Sequence, residues 1–210
     1  MSHAPLWFLD VCRPVVWLYA RALFRIRFEG VAHVPMSGPV LITPNHVSYM
    51  DPVLITLPIH RPLNYLALEP FFRVPVLGAL IRWGRALPIR EDEVNEHAVR
   101  AAVRLLRGGE PLVVFPEGGR SPDGRLQPFR LGAFRLALAA DAPVVPVAIA
   151  GGFEAWPVGR RLPRPGHITI TYHAPVTRKD LPPETPRKAQ PALMADLVRQ
   201  RISAVLVRSA

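Results

Sequence analysis

Residues 40–52 read V-L-I-T-P-N-H-V-S-Y-M-D-P, an apolar run followed by a polar turn and the pair Asp51-Pro52. The apolar run predicts a buried strand, and Asp51-Pro52 is typical of a helix N-cap followed by proline at the first helical position. His46 and Asp51 are five residues apart, a spacing that separates side chains both on a helix and on a strand. The two can meet only across a turn, where a carboxylate holds one imidazole nitrogen and leaves the other free to accept a proton.

Apolar runs alternate with helical patterns along most of the chain. The predicted strands are 39–43, 64–68, 86–89, 111–115, 144–150 and 167–172. The predicted helices after the N-terminal segment are 94–107, 127–140 and 191–207. This alternation predicts a single-domain α/β fold with a mostly parallel or mixed central sheet flanked by helices.

The composition limits the kinds of partner and of metal site. The 210 residues carry a net charge of +10 from 26 basic and 16 acidic side chains, and Lys179 and Lys188 are the only lysines. An arginine-rich surface suits phosphates and anionic headgroups, with nucleic acid as the competing partner. The single cysteine, Cys12, excludes a disulfide within the chain and a cysteine-rich metal site, and the seven scattered histidines predict no metal site.

The N-terminal segment, residues 1–28, predicts an amphipathic helix that associates with a membrane. Its apolar residues are interrupted by five charged ones, so it lacks the stretch of about 20 apolar residues that a transmembrane helix needs. Trp7, Trp17 and Tyr19 suit the depth of a membrane interface, and the arginines suit anionic lipid. The alternative is a helix packed on the protein's own core. We expect residues 29–210 to form the catalytic domain.

A second chemical segment, F-P-E-G-G-R-S at residues 115–121, also follows a short apolar strand. Ligands bind at the carboxyl ends of strands in open parallel sheets. Gly118 and Gly119 let backbone N–H groups approach a substrate closely, and Arg120 can clamp a phosphate. Glu117 either holds a substrate hydroxyl or orients Arg120. The alternative is a tight turn with a surface arginine.

The pair N-H-x-S-x-x-D and F-P-E-G-x-R-S, about 70 residues apart, resembles the glycerolipid acyltransferases typified by bacterial 1-acylglycerol-3-phosphate acyltransferase. Two weaker blocks also match, G-R-A-L-P-I-R at 84–90 and V-P-V-A-I at 145–149. The resemblance covers about residues 30 to 150. It implies transfer of a fatty acyl group from a thioester, acyl-CoA or acyl carrier protein, to a lysophospholipid hydroxyl, with 1-acylglycerol-3-phosphate giving phosphatidic acid as the favoured reaction and no further cofactor.

The resemblance also implies roles for individual residues. His46 becomes the general base and Asp51 its orienting partner, a division of labour that the chemistry of the two side chains supports independently. Glu117, Gly118 and Arg120 fall where the family binds the acceptor phosphate, together with Gly119 in the same loop, and Arg90 is a further phosphate ligand.

The chain departs from the family pattern at two positions. Gly119 stands where the family usually has threonine, which removes a hydroxyl and leaves the acceptor open. Leu68, beside Glu69, replaces a basic residue often found after the second strand, so one phosphate contact is expected to be missing.

Other function classes fit the sequence less well. A serine hydrolase needs G-x-S-x-G, and the stretch G-R-S-P-D at 119–123 lacks the final glycine. The aromatic residues lie in apolar runs rather than between arginines, so nucleic acid is not an expected partner. A noncatalytic lipid-binding protein on the same scaffold remains the alternative. The favoured interpretation is an acyltransferase attached peripherally, or as a monotopic protein, to the cytoplasmic face of the cell membrane. Its expected partners are an anionic membrane surface, the lysophospholipid acceptor and an acyl donor, either acyl-CoA or acyl carrier protein.

Overall fold

The computed structural model describes residues 6–90 and 96–209, which form a seven-stranded sheet flanked by helices. The strands are β1 (Arg27–Glu29), β2 (Val40–Pro44), β3 (Asn64–Leu68), β4 (Ala86–Ile89), β5 (Pro111–Val113), β6 (Val144–Ala150) and β7 (Thr169–Tyr172). The helices are α1 (Leu6–Phe24), α2 (Asp51–Thr56), α3 (Leu77–Trp83), α4 (Glu96–Arg107), α5 (Gly132–Ala140), α6 (Gly152–Ala155) and α7 (Gln190–Ser209).

The strand order is β1-β7-β6-β2-β5-β3-β4, and only the β6–β7 pair is antiparallel. The predicted mixed α/β sheet is therefore confirmed. Because β2, β5, β3 and β4 are parallel, their carboxyl ends lie at one edge of the sheet. The segments that follow these ends begin at Asn45, Val114, Glu69 and Arg90, so the topology gathers both chemical motifs along a single edge.

The two faces of the sheet are covered by different helices. Side chains of α1 and α2, including Phe24 and Leu54, pack into one buried cluster. Side chains of α4, α5 and α7, including Leu106 and Phe134, pack into the other. The connections β2–α2–β3 and β3–α3–β4 advance across the sheet in the same direction, so right-handed crossovers place α3 on the face that carries α1 and α2.

Three strands, β3, β4 and β6, have the predicted bounds, and the other predicted strands differ by one or two residues at their ends. The predicted helix 127–140 begins later, at Gly132, and the N–H groups of Gln127 and Arg130 in the preceding segment donate to Glu117 Oε2 and to the Pro116 carbonyl. The start of the predicted helix at residue 94 lies outside the described residues. Strand β1 and helix α3 were not predicted, the former because three residues carry too little periodicity.

Helix α1 packs on the domain with one side and exposes the other. Ala20 and Phe24 are buried in the core, whereas Val15 and Leu18 are 69% and 65% exposed. The expected boundary between residues 1–28 and 29–210 falls within β1, which pairs with β7. No helix in the described ranges 6–90 and 96–209 is both long and apolar enough to cross a membrane.

Candidate active site

His46 and Asp51 meet across the turn between β2 and α2, as their spacing predicts. His46 Nδ1 lies 2.8 Å from Asp51 Oδ2, and the Asp51 side chain is fully buried. Helix α2 begins at Asp51, directly after this turn. The prediction that Asp51 caps this helix is wrong by one residue: Met50 is the N-cap, and Asp51 is the first helical residue.

The Asp51 carboxylate does not cap α2 because it points back into the turn. Its Oδ2 accepts the backbone N–H groups of Val47 and Ser48 at 2.7 and 2.8 Å, in addition to the His46 ring. Its Oδ1 is buried with no hydrogen-bond partner among the described residues. A buried carboxylate that holds three donors on one oxygen fixes the shape of the turn as well as the imidazole.

The contact with Asp51 decides which nitrogen of His46 carries the proton. An ionised carboxylate only accepts hydrogen bonds, so Nδ1 is the donor and Nε2 keeps its lone pair. The His46 side chain is 16% exposed, and its ring stacks on Phe115 with centroids 4.0 Å apart. The imidazole is thus held on one face and at one nitrogen, with Nε2 as the atom available to take a proton.

The loop after β5 forms hydrogen bonds with both backbone groups of His46, its N–H and its carbonyl oxygen. Glu117 Oε1 accepts the His46 N–H at 2.6 Å, and the Ser121 N–H donates to the His46 carbonyl oxygen at 2.7 Å. The Ser121 hydroxyl donates to the carbonyl of Arg125, which gives this serine a structural hydrogen bond within its own loop. The two sequence motifs are therefore joined through their backbones at the residue expected to do the chemistry.

Glu117 is held by the backbone of its own chain. Its Oε2 accepts the Gln127 N–H at 2.8 Å, so both carboxylate oxygens are engaged by the chain's own backbone. An anionic group oriented in this way is also a poor neighbour for a phosphate. The geometry supports a positioning role for Glu117, whereas the expected contact with the acceptor phosphate or hydroxyl, or with Arg120, stays a prediction.

Burial raises the pKa of Glu117 to about 7, although the two backbone donors from Gln127 and His46 oppose the shift. Near neutral pH this carboxyl group therefore exchanges between its charged and neutral forms. Protonation weakens its ability to accept two N–H groups at once. The hydrogen bond by which Glu117 holds the backbone of His46 is consequently sensitive to pH.

The two glycines of the second motif differ in whether the structure has room for a side chain. Gly118 has a φ of 77°, and a Cβ atom there would lie 2.5 Å from Nε of Arg130. Gly119 has no atom within 4 Å of the position that a Cβ would take. The fold therefore requires glycine at Gly118 and leaves room for the side chain that is absent at Gly119.

Arg120 lies over the ring of Tyr49, a residue of the same turn as His46. Its guanidinium carbon is 3.7 Å from the centre of that ring, and the Tyr49 ring lies 5.7 Å from the ring of Trp156. The stack is a cation–π contact that fixes the plane of the guanidinium. Its Nη1 is buried with no hydrogen-bond partner in the described part of the chain, so Arg120 has donor capacity to offer an anion.

Arg90 follows β4, at the end of the sheet. Its Nε donates to Glu69 Oε2 at 2.7 Å, and Glu69 also receives a hydrogen bond from Arg73. Strand β4 is three strands from β2, a separation of about 14 Å in the plane of the sheet. Arg90 therefore lies on the same edge as His46 but is not gathered into the compact group formed by His46, Asp51 and Glu117.

Two residues of the site carried no sequence signal that identified their contacts. Asn45 exchanges two hydrogen bonds with the backbone of Ile149, so its side chain continues the pairing of β2 with β6 and carries the turn beyond the strand. Gly152 lies behind the turn, where a Cβ atom would come within 2.9 Å of Val47 and 3.5 Å of Asp51 Oδ1. Asn45 adjoins His46 in sequence, whereas Gly152 is brought there only by the fold.

Comparisons with known proteins identify the fold and the family of the chain. The fold resembles the crystal structure of the 1-acyl-sn-glycerophosphate acyltransferase PlsC from Thermotoga maritima, with a TM-score of 0.70, 24% identity, and coverage of 93% of this chain and 82% of that one. A chloroplastic 1-acyl-sn-glycerol-3-phosphate acyltransferase from Brassica napus is 27% identical over 157 residues, 73% of this chain and 45% of the relative. A 1-acyl-sn-glycerol-3-phosphate acyltransferase from Limnanthes alba is 33% identical over 171 residues, 79% of this chain and 58% of the relative.

This chain spans about half the length of the curated relatives that it matches. The model of one protein family, described as Acyltransferase, matches residues 25–150. The matched region contains the His46–Asp51 turn, the 115–121 loop and six of the seven strands. The chain therefore belongs to the acyltransferase family.

Proposed function

We propose that this chain is an O-acyltransferase that moves a fatty acyl group from a thioester, acyl-CoA or acyl carrier protein, to the free hydroxyl of 1-acylglycerol-3-phosphate, which gives phosphatidic acid. The observation that carries this proposal is the geometry of His46. Asp51 fixes its Nδ1, Phe115 supports its ring, and Nε2 is left as the base. Arg120, which lies on Tyr49 of the same turn, has an Nη1 without a hydrogen-bond partner among the described residues.

The residues suggest a direct transfer without an acyl-enzyme. His46 Nε2 takes the hydroxyl proton of the acceptor as the hydroxyl oxygen attacks the thioester carbonyl. The Asp51 carboxylate stabilises the imidazolium that forms. When the carbon–sulfur bond breaks, the imidazolium returns the proton to the thiolate, so the products are the new ester and the free thiol. Resident cofactors have no part in this sequence of steps.

Arg120 is the proposed contact for the phosphate of the acceptor. It lies against Tyr49, three residues after His46, so a phosphate bound there would bring the rest of the acceptor into the neighbourhood of the base. Gly118 and Gly119 belong to the same loop and suit a close approach by the phosphate. Arg90, farther along the sheet edge and paired with Glu69, remains a proposed secondary contact for the phosphate.

We place the enzyme at a membrane surface, attached peripherally at the cytoplasmic face. The support is the basic surface, with its net charge of +10, and the apolar side of α1, where Val15, Trp17, Leu18 and Tyr19 are exposed. Since the proposed acceptor is a lipid, an enzyme of this class gains by meeting its substrate in the bilayer. We likewise propose acyl carrier protein as one of the two candidate acyl donors.

The acceptor contact is tested by comparing Arg120→Ala with Arg135→Ala, the substitution of an exposed arginine on α5. Initial rates of transfer are measured with labelled acyl-CoA or acyl carrier protein and a set of lysophospholipids. Arg120→Ala should raise KM for the acceptor by about 10- to 100-fold and leave KM for the donor nearly unchanged. An equal loss for both substrates would remove the phosphate role, and an effect of Arg135→Ala would show that net charge alone matters.

A further inference from the structure

The segment between β3 and β4 carries the largest group of exposed apolar side chains in the described part of the chain. Phe71, Val74 and Trp83 are each more than a third exposed, and Val76 and Leu80 are 83% and 61% exposed. Together with α1, this segment contains more than half of the exposed large apolar residues. Such a patch on a folded domain marks an interaction surface.

The tip of this segment is strained in a way that core packing does not explain. Val76 has φ 64° and ψ −56°, and the Leu77 N–H donates to the Pro75 carbonyl at 2.7 Å. These values describe the rarer and more strained form of the γ-turn, which a β-branched residue adopts only at a cost. Strain of this kind tends to occur at functional positions. Here its effect is to present the Val76 side chain to the solvent.

The helix behind the tip is well anchored, so the patch is a built surface and not a loose loop. Gly78 lies so close to the backbone of Phe72 that a Cβ atom would be 2.3 Å from its carbonyl oxygen. Arg82 donates to the same carbonyl at 2.7 Å and lies over the Phe72 ring. These contacts hold α3 against the turn before it and direct Leu80 outwards.

The charge of the segment indicates what covers it. Residues 70–84 contain Arg73, Arg82 and Trp83 and no aspartate or glutamate. The one acidic residue between β3 and β4, Glu69, precedes them and pairs with Arg73 and Arg90. Apolar residues with tryptophan and arginine, and without acidic residues, are the composition of a surface that enters the headgroup region of an anionic bilayer.

The position of the segment agrees with a membrane partner. The right-handed crossovers put α3 on the same face of the sheet as α1, whose Val15 and Leu18 are also exposed. The segment also begins at the carboxyl end of β3, on the sheet edge that carries His46. The inference that follows rests on the proposed function, because a lipid acceptor gives the protein a reason to face the bilayer at this edge.

We propose that Phe71–Trp83 is a second membrane-contacting element, separate from α1, which inserts Val76 and Leu80 into the headgroup region of an anionic bilayer and turns the His46 edge of the sheet toward its lipid substrate. The two elements hold the domain at two points of one face. A single helix would leave the domain free to rotate about its axis, whereas two contacts define which edge faces the membrane.

The test uses the full chain and vesicles of equal parts phosphatidylcholine and phosphatidylglycerol. Val76→Asp with Leu80→Asp should lower the partition coefficient in co-sedimentation by about tenfold or more. Val207→Asp is the matched control, because Val207 is 75% exposed on α7, which packs on the opposite face of the sheet. Rates with water-soluble, short-chain substrates should stay unchanged in all of these variants.

A second variant guards against misfolding. Val76→Gly relieves the positive φ and should keep or raise stability, yet it removes an inserted side chain and should still weaken vesicle binding measurably. A fluorescent environment-sensitive label provides an independent measurement in a Cys12→Ser background, since Cys12 is the only cysteine. Labels at Leu80→Cys should shift to the blue with vesicles, and labels at Val207→Cys should not.

The outcomes separate this inference from the proposed function. Unchanged vesicle binding by Val76→Asp with Leu80→Asp, or an unshifted label at position 80, overturns the membrane element and leaves the catalytic proposal intact. Loss of a dimer in the same variant, measured by light scattering, would assign the patch to a second copy of the chain and also overturn the inference. Wild-type protein that binds vesicles but transfers no acyl group would instead remove the proposed function.

Discussion

Substitution of Asp51 by asparagine separates the charge of the carboxylate from its hydrogen bonds. The side-chain oxygen of asparagine can take the place of Oδ2 and still accept from His46 Nδ1, Val47 N–H and Ser48 N–H. The opposite orientation would set an NH₂ group against three donors and is excluded. The amide NH₂ must then occupy the place of Oδ1, which is buried without a partner in the described chain. The imidazole keeps its tautomer and position in this variant.

The expected losses follow from these contacts. An unsatisfied buried NH₂ group costs about 1–3 kcal/mol of unfolding free energy. The missing negative charge, about 4 Å from the centre of the imidazolium, costs on the order of 3–4 kcal/mol in the transition state at an effective dielectric constant near 20. This corresponds to a fall in kcat of about 10²- to 10³-fold, with little change in the KM of either substrate.

The assay is acyl transfer from labelled donor to 1-acylglycerol-3-phosphate, with urea unfolding measured in parallel. Asp141→Asn is the control, because Asp141 is an exposed carboxylate at the end of α5 in a left-handed conformation that asparagine tolerates well. A folded Asp51→Asn protein with activity within threefold of wild type would refute the reasoning, since no imidazolium would then develop beside Asp51. Asp51→Ala, which leaves two backbone N–H groups without their acceptor, should be the less stable variant.

Three further results are expected from residues around the turn. Glu117→Gln should remove a pH dependence of the unfolding free energy. The raised pKa of Glu117 favours folding below the unfolded value of 4.5, and this contribution is lost as the pH rises through about 7. Between pH 5 and pH 8, the unfolding free energy measured in urea should therefore fall by up to about 3 kcal/mol more in wild type than in the variant. Gly119→Thr should leave the unfolding free energy unchanged or up to about 1 kcal/mol higher, because its Cβ has room, while changing the ratio of kcat/KM between acceptors; a destabilised protein would contradict the open geometry. Tyr49→Leu should raise the acceptor KM by about 3- to 30-fold, because the ring that stacks on Arg120 is lost. Tyr49→Phe keeps the ring and should have a KM near that of wild type. A raised KM in Tyr49→Phe would assign the effect to the hydroxyl instead.

The sequence predicted the parts of the fold that depend on local patterns. Strands β3, β4 and β6 are apolar runs bounded by turn residues, and their ends were found to the residue. The spacing of His46 and Asp51 showed that they could meet only across a turn, because neither regular element brings them together, and Asp51-Pro52 indicated a helix after that turn. Helix α3 has a pattern too short and too uniformly apolar to give a period, and the exposure of its side chains within the described part of the chain is known only from the structure.

The contacts of Glu117 could not be predicted in the same way. A carboxylate in a glycine-rich loop suggests a substrate contact, whereas the structure directs its two oxygens to the N–H groups of His46 and Gln127. One of these donors lies 71 residues away in sequence, and its approach depends on the pairing of β2 with β5. The contact of Gly152 with the turn also depends on strand pairing. Gly152 follows β6, and β6 pairs with β2 on the side opposite to β5.

The central claim is that His46 is the base of an acyl transfer reaction, and the most direct test is the activity of His46→Ala with labelled thioester donor and 1-acylglycerol-3-phosphate. The general-base role predicts a fall in kcat by about 10²- to 10⁴-fold, with unfolding free energy and vesicle binding close to those of wild type. Within the described residues the side chain hydrogen-bonds to Asp51 and stacks on Phe115, so its removal leaves the backbone contacts of the turn in place. Transfer at the wild-type rate by the folded variant would contradict the account.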